Sequence, residues 1–296
     1  MSSPTPDPPI TVPSIAARKR RRGAEPIVMV TAYDEPGARI VGAGGADIVL
    51  VGDSLGNNVL GYDDSLHVTM DDMLHHTSAV ARARPPSLIV ADMPWLSYHL
   101  TLDGAVRNAA ALIQAGAGAV KLEGGQRRVA VVEAILGAEI PVMGHLGLTP
   151  QSVLAMGGYR VQARDAEAAK ELLAAATALA AAGVFAIVLE GVPDVVAAAV
   201  TEAVDVPTIG IGAGPACDGQ VLVFHDLLGL GARPLPKFVR RYAELGDTAV
   251  RAVADFAADV RTGRFPADAE TYHGSEELGR AITELPGAAV RVDAGS

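Results

Sequence analysis

Four apolar runs of this chain stop in a carboxylate: IVLVGDS at Asp53, LIVADMP at Asp92, AVKLEGG at Glu123 and AIVLEGV at Glu190. Any one such acid is more often a turn or helix-cap residue, because Asp and its polar relatives bond readily to nearby backbone N–H groups. The bland reading of Glu190, for instance, is a cap for a helix beginning near Val192. Four acids at equivalent positions are harder to explain that way. Gathered in one place, uncompensated carboxylates repel and raise one another's pKa, and a divalent cation resolves that conflict. All-oxygen ligation favours Mg²⁺, Mn²⁺ or Ca²⁺ over zinc.

The same run ends supply further polar groups. Ser54 follows Asp53, Lys121 lies two residues before Glu123, and His145 closes PVMGH. Side chains alternate across a strand, so Lys121 and Glu123 share a face. Lys121 reads as a substrate contact or a structural ion pair, and His145 as a substrate contact or a hydrogen-bonded core histidine.

The elements that must position these groups repeat one unit: an Ala-rich helical stretch, a Gly stop, then four to six apolar residues. AGGADI (43–48), AGAGAV (115–120) and AGVFAI (182–187) are nearly superimposable copies. Gly just past a helix tolerates the left-handed conformation that closes its last turn. The clearest helix spans 165–182, with Ala169, Leu172, Leu173, Ala176 and Ala180 on one face. Strands are expected at 27–31, 48–51, 88–91, 119–122, 142–144, 186–189, 208–211 and 220–224. Their nearly continuous apolar character fits parallel strands covered on both faces. Eight strands alternating with helices predict a (β/α)8 barrel, with a doubly wound open sheet as the alternative. In a barrel the active site lies at the C-terminal strand ends, where the acids stand.

Other signals carry less. The glycines of IGIGAG (209–214) lack the dinucleotide-binding spacing, and no convincing helix opens after them. His75 and His76 are adjacent in a helical stretch and face different ways. Cys217, the single cysteine, excludes an intrachain disulfide and fits a reducing compartment. With 24 Lys and Arg against 34 Asp and Glu, the formal charge of −10 opposes nucleic-acid binding. Every apolar run is broken well before the roughly 18 to 20 residues that span a bilayer. No signal peptide is visible, so a soluble, cytoplasmic protein is expected. Half the residues are apolar and the mean hydropathy is +0.28, enough for a large core. Pro- and Ser-rich residues 1–10 read as a disordered extension, 11–267 as one barrel domain, and 268–296 as a peripheral tail. The basic residues 18–22 read as the solvated face of a leading helix.

In chain order, VTAYD (30–34), LVGDSLG (50–56), VTMDDMLHHTSAV (68–80), VADMP (90–94), KLEGG (121–125), GHLGLTPQS (144–152), GGYRVQ (157–162), IGIGAG (209–214) and CDGQVLVFHD (217–226) resemble the ketopantoate hydroxymethyltransferase family. The resemblance covers roughly residues 11–266. It implies a barrel of the phosphoenolpyruvate/pyruvate superfamily type, dependent on Mg²⁺, one ion per subunit, and usually decameric. The implied reaction carries a hydroxymethyl group from 5,10-methylenetetrahydrofolate to 3-methyl-2-oxobutanoate through a Mg-stabilised enolate. Its products are 2-dehydropantoate and tetrahydrofolate, on the pathway to pantothenate and coenzyme A. It implies metal-associated acids at Asp53, Asp92 and Glu123, keto-acid contacts at Asp53, Ser54, Asp92 and Lys121, the proton acceptor at Glu190, and an active-site histidine at His145. Asn57-Asn58 and Arg84-Pro85-Pro86 depart from the family's usual Met-Thr and Arg-Gly. These departures bear on a loop or on folate contacts, and no metal or base position is lost. Competing readings are a superfamily C–C lyase or mutase acting on another 2-oxo acid, and a non-catalytic metabolite-binding or scaffold barrel.

Overall fold

The computed structural model describes residues 10–19, 23–231 and 233–285. They fall into two compact units, one up to Glu244 and one from Leu245. The first is a closed barrel of eight parallel strands in sequential order. Its strands are β1 (Ile27–Thr31), β2 (Ile48–Val51), β3 (Leu88–Asp92), β4 (Ala119–Glu123), β5 (Val142–Gly147), β6 (Ala186–Glu190), β7 (Thr208–Ile211) and β8 (Gly219–Leu222). Pairing of β1 with β8, Met29 opposite Val221, closes the ring. The helices of this unit are α1 (Val12–Ala16), α2 (Glu35–Ala43), α3 (Leu55–Asn58), α4 (Met70–Arg82), α5 (Leu102–Gln114), α6 (Val129–Gly137), α7 (Val153–Met156), α8 (Ala166–Ala182), α9 (Asp194–Ala203) and α10 (Phe224–Leu228). The second unit holds α11 (Leu245–Thr262) and α12 (Glu276–Thr283).

The alternation predicted from the glycine-punctuated repeats is present, and local signals account for it. The side chain of Asp165 caps α8 by accepting from the N–H groups of Glu167 and Ala168. Gly183, at φ +102°, closes the other end and turns the chain into β6. Strand periodicity then sorts the apolar residues. Ile48, Leu50, Leu88, Val90, Ala119, Met143, Ala186 and Val188 form the barrel interior with Ile15 of α1. Their strand neighbours Val49, Val51, Ala91, Val120, Leu122, Ile187 and Leu189 belong to the shell packed with the helices. The same alternation carries Asp92, Lys121, Glu123, His145 and Glu190 onto the interior face, two or four residues beyond those core positions.

Some expectations are corrected. Asp92, Glu123 and Glu190 are the last residues of their strands rather than the residues after them, and Glu123 pairs in register with His145. The eighth strand is shorter than expected: it stops at Leu222, and Phe224 opens α10. Helix and strand do not alternate between β7 and β8, where seven residues reconnect the strands. There the Asp218 carboxylate accepts from the N–H of Thr208 (2.8 Å) and pairs with Lys19 Nζ (2.8 Å). Lys19 is therefore not solvated: its side chain is 1% exposed, because Asp218 and the carbonyl of Val206 (3.2 Å) supply buried partners. Arg18 pairs with Asp47 at 2.6 Å. Residues 1–9 of the expected extension, 20–22 of the basic segment and 286–296 of the tail lie outside the described residues, while the N–H of Ile10 donates to the carbonyl of Pro86 (3.0 Å).

Candidate active site

The acids, Lys121 and His145 converge at the C-terminal strand ends. The backbone N–H of Asp53 donates to Asp92 Oδ2 (3.0 Å), tying the turn after β2 to the end of β3. Lys121 Nζ lies 2.8 Å from Asp92 Oδ1 and 3.3 Å from His145 Nδ1. That imidazole sits between two acids, with Nδ1 3.3 Å from Glu123 Oε1 and Nε2 3.2 Å from Glu190 Oε2. The Asp92, Lys121, Glu123 and His145 side chains are at most 5% exposed, whereas Glu190 is 17% exposed. Ser54 stands one residue further along, its hydroxyl 2.9 Å from that of Tyr33.

The electrostatics follow from this crowding. Burial first, then Asp92 and Glu123, push the Asp53 carboxyl up to about 8, against the opposing pull of Lys121 and the hydrogen bond from Gln151. Burial alone would depress the Lys121 ammonium, but Asp92, Glu123 and Asp53 outweigh it and hold it above the usual lysine range. Burial and Lys121 likewise oppose a charge on His145, and its contacts with Glu123 and Glu190 outweigh them, raising it to about 9. Four carboxyl groups thus face one ammonium and one imidazole, so acidic groups outnumber basic ones in the cluster.

Two residues that strand-end reasoning did not single out join the cluster. Gln151 Nε2 donates to Asp53 Oδ2 and to the carbonyl of Met93, both at 2.9 Å, and its backbone N–H donates to Glu123 Oε2 (3.0 Å). The Tyr98 hydroxyl donates to Gln151 Oε1 (2.6 Å) and accepts from the N–H of Glu123 (3.1 Å). Gln151 had one signal, its place inside GHLGLTPQS, but neither residue ends a strand. Of the discounted signals, IGIGAG pairs beside Glu190 through Ile211, and the other side chains have their own partners. His76 Nδ1 lies 2.6 Å from the carbonyl oxygen of Tyr33, and Cys217 is buried beside the Thr201–Thr208 pair, its thiol pushed up by burial.

The chain is similar in fold to a 2,3-dimethylmalate lyase, a PEP mutase/isocitrate lyase superfamily member, with TM-score 0.54 and 17% identity over 94% of this chain and 96% of that one. It is also similar in fold to a phosphonopyruvate hydrolase in complex with oxalate and Mg²⁺, with TM-score 0.58 and 15% identity over 92% and 97%. At such identities the likeness is one of fold, a closed (β/α)8 barrel. Sequence narrows this further. The family model for ketopantoate hydroxymethyltransferase matches residues 9–268. The chain is 54% identical over 270 residues to the 3-methyl-2-oxobutanoate hydroxymethyltransferase of Syntrophomonas wolfei subsp. wolfei, covering 91% of this chain and 97% of the relative. It is 55% identical over 258 residues to that of Moorella thermoacetica, covering 87% and 95%. The chain belongs to the ketopantoate hydroxymethyltransferase family and is an enzyme of the transferase class.

Proposed function

We propose that the enzyme transfers a hydroxymethyl group from 5,10-methylenetetrahydrofolate to 3-methyl-2-oxobutanoate, giving 2-dehydropantoate and tetrahydrofolate on the route to pantothenate. The observation that carries this reading is the surplus of buried carboxyl groups at the barrel mouth, with one acid, Glu190, more open than the rest. Asp53 and Asp92 would hold Mg²⁺, and Glu123 would join them directly or through water. The residues suit such an ion. Asp92 Oδ1 is buried against the Lys121 ammonium at 2.8 Å, and the donors are all oxygen. Among the described residues, no three His, Cys, Asp or Glu side chains form a ready metal cage. Mg²⁺ commonly uses only one or two carboxylates and completes its octahedron with water and substrate oxygens. When bound, the cation supplies a Lewis acid for the keto and carboxylate oxygens of the 2-oxo acid, which acidifies C3.

The remaining steps rest on this chain's own groups. Lys121 offers its ammonium to the substrate carboxylate, and Ser54 a hydroxyl to the same ligand. Glu190 accepts the proton from C3, and His145, between Glu190 and Glu123, orients that carboxylate. The C3 carbanion forms a carbon–carbon bond to the one-carbon unit as the carbon–nitrogen bonds to the folate break, and water supplies the hydroxyl oxygen. The reading includes a homo-oligomer, a decamer as the family resemblance implies, and a cytoplasmic setting suited to the single thiol of Cys217. Among the described residues, no helix is long and apolar enough to cross a membrane. The deciding experiment is a product assay with methylenetetrahydrofolate and 3-methyl-2-oxobutanoate, with and without EDTA. Formation of 2-dehydropantoate that EDTA abolishes supports the reading, and absence of product overturns it. Light scattering tests the assembly separately, and a stable monomer at micromolar concentration would remove that part alone.

A further inference from the structure

Ser54 holds the N-cap position of α3, yet its side chain makes no hydrogen bond to the helix end. Its hydroxyl lies over Gly52 instead, where a Cβ would meet Ser54 Oγ at 2.8 Å and Asp92 Oδ2 at 3.6 Å. Bare backbone at residue 52 is what leaves room for that hydroxyl near the Asp92 carboxylate. The Ser54 carbonyl accepts from Asn58 Nδ2 (2.9 Å), which holds the main chain of the residue in place. The hydroxyl has a partner of its own, the Tyr33 phenol oxygen, 2.9 Å from Ser54 Oγ.

Tyr33, just past the end of β1, is itself firmly held. It is buried, its carbonyl oxygen lies 2.6 Å from His76 Nδ1, and its ring centroid lies 5.5 Å from that of His225. The phenol also hydrogen-bonds the side chain of Thr31, the buried last residue of β1. Thr31 Oγ1 in turn accepts from the backbone N–H of Phe224 (2.9 Å). The direction of this chain of hydrogen bonds follows from its first member. A backbone N–H can only donate, so it occupies a lone pair of Thr31 Oγ1 and leaves the threonine O–H to give to the phenol oxygen. Burial holds the phenol above the usual tyrosine range, against the opposing pull of Ser54 and Thr31, so it keeps its proton and gives it to Ser54 Oγ. The proton left over is that of Ser54. The carboxylate and keto oxygens of a 2-oxo acid can only accept, and this is the proton they require.

We infer that Tyr33 is a positioning residue, which aims the Ser54 hydroxyl as a donor to the 2-oxo acid through the hydrogen-bond chain that runs from Phe224 and Thr31. The inference rests on the substrate contact proposed above for Ser54. Calorimetry on the full chain, with 3-methyl-2-oxobutanoate in the presence of Mg²⁺, tests it through Tyr33→Phe, Ser54→Ala and the double variant. Tyr33→Phe is expected to weaken binding of the 2-oxo acid about threefold to tenfold, the worth of one well-placed hydrogen bond. Ser54→Ala should weaken it at least as much. Adding Tyr33→Phe to Ser54→Ala should then cost less than about twofold more, because the hydroxyl that Tyr33 aims is gone. Thr31→Val, which removes the donor behind the phenol, should show a smaller loss with the same dependence on Ser54. A dissociation constant is read from folded molecules, so a lowered melting temperature does not alter the comparison. A loss from Tyr33→Phe that is equal with and without the Ser54 hydroxyl makes Tyr33 a packing residue and overturns the inference. So does binding by Tyr33→Phe within about twofold of the wild type, or no measurable binding by the wild type. Failure of the functional reading shows itself elsewhere, as no 2-dehydropantoate in the product assay from a protein that still binds the 2-oxo acid.

Discussion

The Nε2 atom of His145 lies 3.2 Å from the Glu190 carboxylate, and the opposite ring nitrogen lies 3.3 Å from Glu123. One imidazole thus joins a deeply buried acid to the acid most open to solvent. This geometry bears on the capping alternative for Glu190. The helix that follows begins at Asp194, has Pro193 at its cap, and makes no side-chain cap bond. Glu190 faces the histidine instead.

Glu190→Gln preserves size but cannot accept a proton. Exchange of the C3 proton of 3-methyl-2-oxobutanoate with D₂O, a partial reaction expected to proceed without folate, should fall by about 10² to 10⁴, the usual contribution of a positioned general base. NMR of the substrate follows it directly. Near wild-type exchange in the folded variant would remove Glu190 from the role of base.

Asp92→Ala should fail at an earlier stage. It removes one proposed ligand and the buried partner of Lys121 at 2.8 Å. Calorimetry with the 2-oxo acid present should show Mg²⁺ uptake of one ion per chain in the wild type and in Glu190→Gln, and a large loss in Asp92→Ala. Equal uptake by all three would exclude Asp92 from the metal site.

The raised Asp53 carboxyl contributes stability to the metal-free protein that falls as pH rises. In the folded state this carboxyl titrates near 8, far above the roughly 3.9 of an unfolded aspartate. The folded state therefore keeps a proton that the unfolded state releases. The stability this contributes is full below about pH 4 and is lost as pH rises toward 8. In EDTA the melting temperature should decline between pH 5 and pH 8, and Asp53→Asn should flatten that decline. Excess Mg²⁺ should oppose it by favouring the ionised form. A wild-type melting temperature that rises steadily across this window in EDTA would contradict the assignment.

Much of this architecture was legible because parallel strands have a period of two and the barrel puts their C-terminal ends together. Once Ala119 is placed inside, Lys121 and Glu123 must follow, and the same parity carries Asp92, His145 and Glu190 inward. What escaped reading depends on contacts that no local pattern encodes. Lys19 looked like one of five solvated basic residues, yet its partner Asp218 lies 199 residues away. Tyr98 and Gln151 meet Glu123 and Asp53 across loops, with sequence separations of 25 and 98. The direct reconnection of β7 to β8 is likewise stabilised by Asp218 side-chain bonds rather than by a helix propensity.

Gln151 supplies the last prediction, because it touches two of the acids without being an acid. Its side-chain amide gives one hydrogen bond to Asp53 and one to the Met93 carbonyl, while the Tyr98 hydroxyl holds its Oε1. Gln151→Leu keeps similar bulk but leaves the Asp53 oxygen, the Met93 carbonyl and the Tyr98 hydroxyl without those partners. Buried polar groups stripped of a partner cost about 1 to 3 kcal/mol each, so a measurable drop in melting temperature is expected. Stability alone would be a merely structural effect. Residues that orient metal ligands typically contribute about 10- to 100-fold in metal affinity, and the same loss is expected here, read by Mg²⁺ calorimetry on the folded variant. Tyr98→Phe, which removes only the hydroxyl that fixes the amide, should show a smaller loss in the same direction. If both variants melt earlier yet bind Mg²⁺ within twofold of the wild type, Gln151 is a packing residue and does not orient the carboxylates.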